Sequence, residues 1–134
     1  MQLDMSVLSG ILDASPLAII YVDARGIIRY WNRETEALLG YRADEVVGAS
    51  LDIIIPERLR EAHWRGFNRA IASGETTLGE RFTRTRAIHE SGDNVYVEML
   101  FKLIAHDHLT PGAVAFCRAA APVIKENAAA ARPV

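Results

Sequence analysis

Four histidines, one cysteine and a run of arginines carry the chemistry in this sequence that packing does not use up. His63 is the most informative of them. In "LREAHWRGFNRAI", residues 59–71, the apolar positions Leu59, Ala62, Phe67, Ala70 and Ile71 follow the spacing of one buried helix face, with Gly66 between them. His63 falls on that face, four residues after Leu59 and four before Phe67. An imidazole there is either a hydrogen-bonded core group or a nitrogen lone pair offered to a metal or ligand. Trp64 beside it reads as a flanking aromatic, packing on a partner or on the edge of a flat ligand. Arg81, Arg84 and Arg86 follow the helix. Guanidinium groups so placed either cover a solvated sheet face or donate to a negative ligand.

The remaining candidates are weaker. His106 and His108 flank Asp107, but a fourth ligand is missing, so the set makes a poor metal site. His89 adjoins a turn and reads as exposed. Cys117 stands alone, which excludes an intramolecular disulfide and a cysteine metal cluster, and it reads as a small buried hydrophobe. No nucleophile elbow, phosphate-binding glycine loop or paired acid and base is present, so the expectation is a chain that is not an enzyme.

The elements that must position His63 can be traced from the N-terminus. Leu3, Val7, Leu8, Ile11 and Leu12 predict an amphipathic helix over 3–14, ended by Ser15 and Pro16. "LAIIYVD" (17–23) and "GIIRYWN" (26–32) predict a β-hairpin turned by "DARG". Asn32 can cap a helix over 33–39 that Gly40 stops, and "ADEVVG" (43–48) adds a short turn. "LDIII" (51–55) is a short apolar piece, and Pro56 predicts the first position of the helix that runs to Ser73. Residues 78–89 read as a polar strand and "SGD" (91–93) as a turn. In "NVYVEMLFKLI" (94–104), Val95, Val97, Met99, Phe101 and Leu103 share one face, with Glu98 and Lys102 on the other. "AVAFCRA" (113–119) is the last strand, and Val114 and Phe116 are expected to close the roof of any pocket. Hairpin, helices, then strands is the pattern of an α+β domain with one antiparallel sheet.

Length and composition agree with that reading. The chain has 134 residues, half hydrophobic and 24% charged, with a net charge of −2. This suits one globular domain and gives no footprint for nucleic acid. The N-terminus lacks a positive leader, and no apolar run approaches the ~20 residues needed to cross a bilayer. The expected location is the cytoplasm, away from membranes. The expected division is an N-terminal cap helix (1–15), a folded domain (16–120) and an Ala/Pro-rich tail or linker (121–134).

The ordered combination of Asp23 and Gly26 in the hairpin, Asn32, "LGY" (39–41), "EVVG" (45–48), Pro56 and Gly92 strongly resembles a PAS domain over residues 8–119. The resemblance implies a PAS fold: a five-stranded antiparallel sheet with short helices on one face and a cavity between the sheet and the longer helix. It also implies a sensor or interaction module. "IPERLREAHWRGF" is similar to the segment that carries the proximal ligand in haem-containing PAS oxygen sensors, with His63 in the ligand's place. The implied cofactor is haem b, held through its iron by His63, with Phe67 and Trp64 beside it. Counted back from Gly92 without gaps, Arg81 and Thr83 fall where those sensors place groups next to bound gas, and Met99 and Phe101 match apolar pocket residues. A bulge would instead bring in Arg84 or Arg86. The flavin photoreceptor branch needs a reactive cysteine in the helical segment, and residues 43–73 have none. The expected function is thus a haem sensor of a diatomic gas (O2, CO or NO) or of redox state. It would signal through a homodimer, to which the N-terminal helix contributes, or through an effector partner. The alternatives are a cofactor-free interaction module and a pocket for a small metabolite.

Overall fold

The computed structural model of the chain describes residues 3–75, 81–104 and 111–121. His106, Asp107, His108, the first residues of the strand expected from 78, and the tail from 122 lie outside the described residues. The order is α1 (Met5–Asp13), β1 (Ala18–Asp23), β2 (Ile28–Trp31), α2 (Arg33–Leu39) and α3 (Ala43–Val46). Two 3-10 turns, Leu51–Ile54 and Glu57–Leu59, lead into α4 (Arg60–Ser73). Then come β3 (Thr83–Ile88), β4 (Asn94–Ile104) and β5 (Gly112–Ala119). The strands form one antiparallel sheet in the order β2-β1-β5-β4-β3.

Local chemistry sets most of these boundaries. Asp23 turns the hairpin: its carboxylate accepts from the amides of Arg25 and Ile27, and Gly26 takes the left-handed φ of 80° that the turn requires. Asn32 caps α2 by accepting from the Thr35 amide, and Gly40 ends that helix in the left-handed conformation. Pro56 was expected at the first position of the long helix. It instead accepts from the Leu59 amide and opens a 3-10 turn, so that α4 begins at Arg60. The ring removes a donor that the first turn leaves unpaired anyway.

The main core lies between the sheet and the helices. Ile20, Val22, Ile28, Trp31, Leu39, Val46, Ile54, Ile55, Phe67, Ala87 and Ala113 form one buried cluster. The α4 face that meets it differs from the expected stripe by one step. Phe67 and Ala70 are buried, Ile71 packs on the cluster and His63 turns inward as its spacing requires, but Ala62 is exposed and Trp64 turns inward in its stead. The large ring of Trp64 gains more from leaving water than the methyl of Ala62, and this rotates the helix toward it.

α1 stands apart from the core. None of its residues is buried, and Met5 and Ile11 are 78% and 55% exposed. It is tied down at its C-terminal end, where the Asn32 amide donates to the Leu12 carbonyl and the Arg33 amide to Asp13.

Candidate functional site

Parity along the strands decides what faces the helices. Met99 pairs with Thr83 and Cys117, Phe101 with Ala115, and Ala115 with Ile20. Directly paired residues share a face, and alternate residues point the opposite way. The inner face of β5 therefore carries Ala113, Ala115 and Cys117, whose small side chains leave space. Beneath them is an apolar cavity of about 140 Å³. Leu39, Leu51, Ile54, Ile55 and Leu59 close it on the helical side, and Val97, Met99 and Phe101 line it from β4. A cleft of about 490 Å³ lies beside it, running between α4 and β4 past Ala62, Gly66 and Ala70. His63, Phe67, Met99 and Phe101 border both spaces.

His63 is the polar feature of this boundary. Its Nδ1 is buried and has no hydrogen-bond partner, the only such side-chain nitrogen or oxygen among the described residues. An unmade hydrogen bond of this kind costs about 1–3 kcal/mol. Burial lowers the imidazole pKa below its ordinary value, opposed by the negative charge of Asp52. The ring is thus neutral at physiological pH, the form that ligates metals. It stacks at 6.1 Å and 17° on Phe67 and meets Trp64 edge to face at 4.5 Å.

A pH dependence follows. The unfolded chain takes up a proton at the ordinary histidine pKa, while folded His63 resists it. The advantage of the neutral folded form is complete above the unfolded pKa of about 6.5 and is lost as pH falls below that toward the folded value. Thermal denaturation should show Tm falling between pH 7.5 and 5.5, with a shallower fall in His63→Leu. Equal slopes for the two proteins would contradict the direction of the shift.

Five expected positions are corrected. Val114 and Phe116 do not roof the cavity: β5 parity puts them on the outer face, opposite Tyr21 and Ile19. Arg81 is exposed and precedes β3, and Thr83 stands at the first strand position, beyond the cavity wall. The β3 residues that border the cavity are Thr85, Arg86 and Ala87. The β3–β4 pairing is unbroken from Thr83 to Ile88, so no bulge brings Arg84 inward. Arg84 instead is exposed, donates to the Ala121 carbonyl and lies over the Tyr96 ring. Arg86 shares its register with Tyr96 on the outer face, so its backbone is what meets the cavity. Trp64 also leaves the cavity wall. Its Nε1 donates to Asp52 at 2.6 Å, and its ring covers Gly26.

Two other candidates fall outside the cavity or its chemistry. His89 Nδ1 accepts from the Ser91 amide, and its ring rests on Gly40, so it is a half-buried turn residue rather than an exposed one. The Cys117 thiol faces the cavity, but burial pushes its pKa up to about 12, which leaves it protonated and unreactive. No three His, Cys, Asp or Glu side chains among the described residues gather as a metal site. A haem iron needs only one of them.

A cue for the missed wall was present in "AVAFC". Small residues at 113, 115 and 117 alternate with large ones at 114 and 116, and a cavity lies where the small ones point.

Known proteins share this architecture. A curated but uncharacterized protein of Azorhizobium caulinodans is 33% identical over 82 residues, which is 60% of this chain and 11% of that protein. The chain spans only a small part of the length of the curated relatives it matches. The PAS domain of a Colwellia psychrerythraea protein superposes with a TM-score of 0.72 at 20% identity, covering 87% of this chain and 96% of that one. The PAS domain of the Cronobacter turicensis quorum-sensing receptor RpfR, solved in complex with BDSF, gives 0.62 at 15% identity, covering 78% and 94%. No helix among the described residues is long and apolar enough to cross a membrane. The PAS fold family model matches residues 7–118, with the five-stranded sheet and its helices, and the chain belongs to the PAS family.

Proposed function

We propose that this PAS sensor domain binds haem b between α4 and the sheet, with His63 as the axial ligand of the iron. The observation that carries the reading is the buried, unpartnered Nδ1 of a neutral imidazole that borders an apolar cavity. The donor fits the group: one neutral histidine in apolar surroundings would hold a haem iron. The cavity alone is small for a macrocycle. The cleft that shares His63, Phe67, Met99 and Phe101 supplies the additional space.

Bound haem supplies an iron that takes a diatomic gas or changes oxidation state. The chain does the rest. His63 presents its nitrogen, Phe67 and Met99 exclude water, and Thr85 is the hydroxyl side chain on the cavity's β3 wall. The small residues of β5 leave room for the ligand against the centre of the sheet, where its contacts would bear on β5. β5 lies between β1 and β4, and a shift there biases the elements that flank the sheet. The exposed apolar stripe of α1 is the contact for a second copy or an effector in this reading. The domain's work is binding rather than catalysis.

A second reading has its own support. The 140 Å³ apolar cavity suits a small apolar metabolite with one hydrogen-bonding group, which His63 would satisfy. The RpfR PAS domain, solved in complex with BDSF, is a PAS domain of similar fold with a bound ligand.

Titration with haem, followed by absorption, separates the two. The wild type should develop a strong Soret band that His63→Ala loses or shifts. A protein that stays colourless overturns the haem reading. Thermal stabilisation by small apolar molecules that carry one hydrogen-bonding group would then favour the second.

A further inference from the structure

We propose that Asp52 and Trp64 form a positioning pair that fixes the ring plane of His63. The proposal rests on the reading of His63 as the ligand-binding group. A ligating histidine is ordinarily oriented by a hydrogen bond from its other ring nitrogen. Neither ring nitrogen of His63 is hydrogen-bonded among the described residues, so packing must hold the ring whichever nitrogen ligates. Neighbouring helix residues do not face each other. Yet the rings of His63 and Trp64 meet edge to face at 4.5 Å, because Trp64 is held from outside the helix. Its Nε1 donates to Asp52 Oδ1 at 2.6 Å, and Asp52 belongs to the 3-10 turn, not to α4.

The other side of the indole is also fixed. It lies over Gly26, where any Cβ would clash with the ring, so the hairpin turn forms its floor. Phe67 meets Trp64 edge to face at 5.2 Å and stacks under His63. Asp52 in turn sits 4.0 Å from Arg60 Nε, which is anchored by its bond to the Ile55 carbonyl. The imidazole is thus wedged between two aromatic rings, and one of them is locked by a carboxylate.

The test begins with the ligand-free protein at pH 8, where the ring is unprotonated. The His63 ring protons are followed by NMR in the wild type, Asp52→Ala and Asp52→Asn. The Asp52 side chain is partly exposed, so neither change buries a charge. In the wild type, the Trp64 ring current displaces these resonances. Asp52→Ala should move them toward the free-histidine position, and Asp52→Asn, which keeps an acceptor oxygen, should restore them. Should Asp52→Ala fail to fold, Trp64→Phe removes the donor and keeps an aromatic ring. With haem bound, Asp52→Ala should lose it roughly tenfold faster than the wild type, the usual scale for an outer support of a ligating histidine. Unchanged His63 resonances in Asp52→Ala, with the indole N–H signal altered, overturn the proposal and leave the pair a strut. A wild type that takes up no haem sinks the proposed function instead, and the resonances still decide whether the pair positions the ring.

Discussion

Asn32→Ala should lower stability by about 3–5 kcal/mol, one of the largest effects available to a single change outside the cavity. The side chain is fully buried and uses both of its polar atoms. Oδ1 accepts from the Ile19 amide at 2.8 Å, the Thr35 amide at 3.1 Å and the Thr35 hydroxyl at 2.6 Å. Nδ2 donates to the carbonyls of Leu12 at 2.8 Å and Leu17 at 3.1 Å. One amide therefore joins the end of α1, the start of β1 and the cap of α2. Alanine removes these bonds and strands several of their partners out of reach of water, which is why the cost exceeds that of a lost cap alone, about 1 kcal/mol. Tm should fall by more than about 10 °C. Asn32→Asp sharpens the test. The carboxylate keeps the acceptor but turns a negative charge on the Leu12 and Leu17 carbonyls. That variant should recover stability relative to the wild type as pH drops and the acid protonates. A loss under 1 kcal/mol in Asn32→Ala would show that the network is replaced by water.

The same residue shows what a sequence makes legible. Asn32 as a cap, Gly40 as a stop and Asp23 with Gly26 as a turn can be read because each acts on its immediate neighbours. The bonds from Asn32 to Leu12 and Leu17 could not be read, since they depend on where α1 comes to rest. The strands were legible from alternation, but the insertion of β5 between β1 and β4 is a long-range pairing that periodicity does not encode.

At the candidate site the line between the two is equally physical. His63 could be found because a polar residue on an apolar helix face violates the pattern, and such violations gather at functional sites. Trp64 was misplaced because its direction depends on Asp52 and Gly26, remote in sequence. The sequence points to Val114 and Phe116 as the inner wall because large apolar residues usually mark a core. Here the wall is made of small ones, and a cavity is defined by atoms that are missing. Arg81 and Thr83 were assigned by counting along an assumed strand, and β3 begins at Thr83.

Filling that space gives the second large effect. Ala115→Phe should reduce affinity for the cavity ligand by at least about 100-fold, whether that ligand is haem or a small apolar molecule. Ala115 lies on the inner face of β5, paired with Ile20 and Phe101, and it borders the cavity at the centre of the sheet. A benzyl group there takes the volume that a ligand would occupy. Because it enters existing space, its cost to the fold should stay below the 1–3 kcal/mol typical of overpacking a filled core. Outward-facing Phe116 is the control. Phe116→Leu changes a neighbouring residue on the same strand but leaves the cavity alone, so binding should stay within about twofold while the outer face alone is altered. Titration calorimetry or absorption measures the affinities, and denaturant unfolding measures the fold. If Ala115→Phe folds and still binds as tightly as the wild type, the ligand does not use this cavity. His63 would then contact it only from the cleft between α4 and β4. That outcome moves the site outward by one layer of side chains, to Ala62, Gly66 and Ala70, and makes Gly66→Leu the substitution that blocks it.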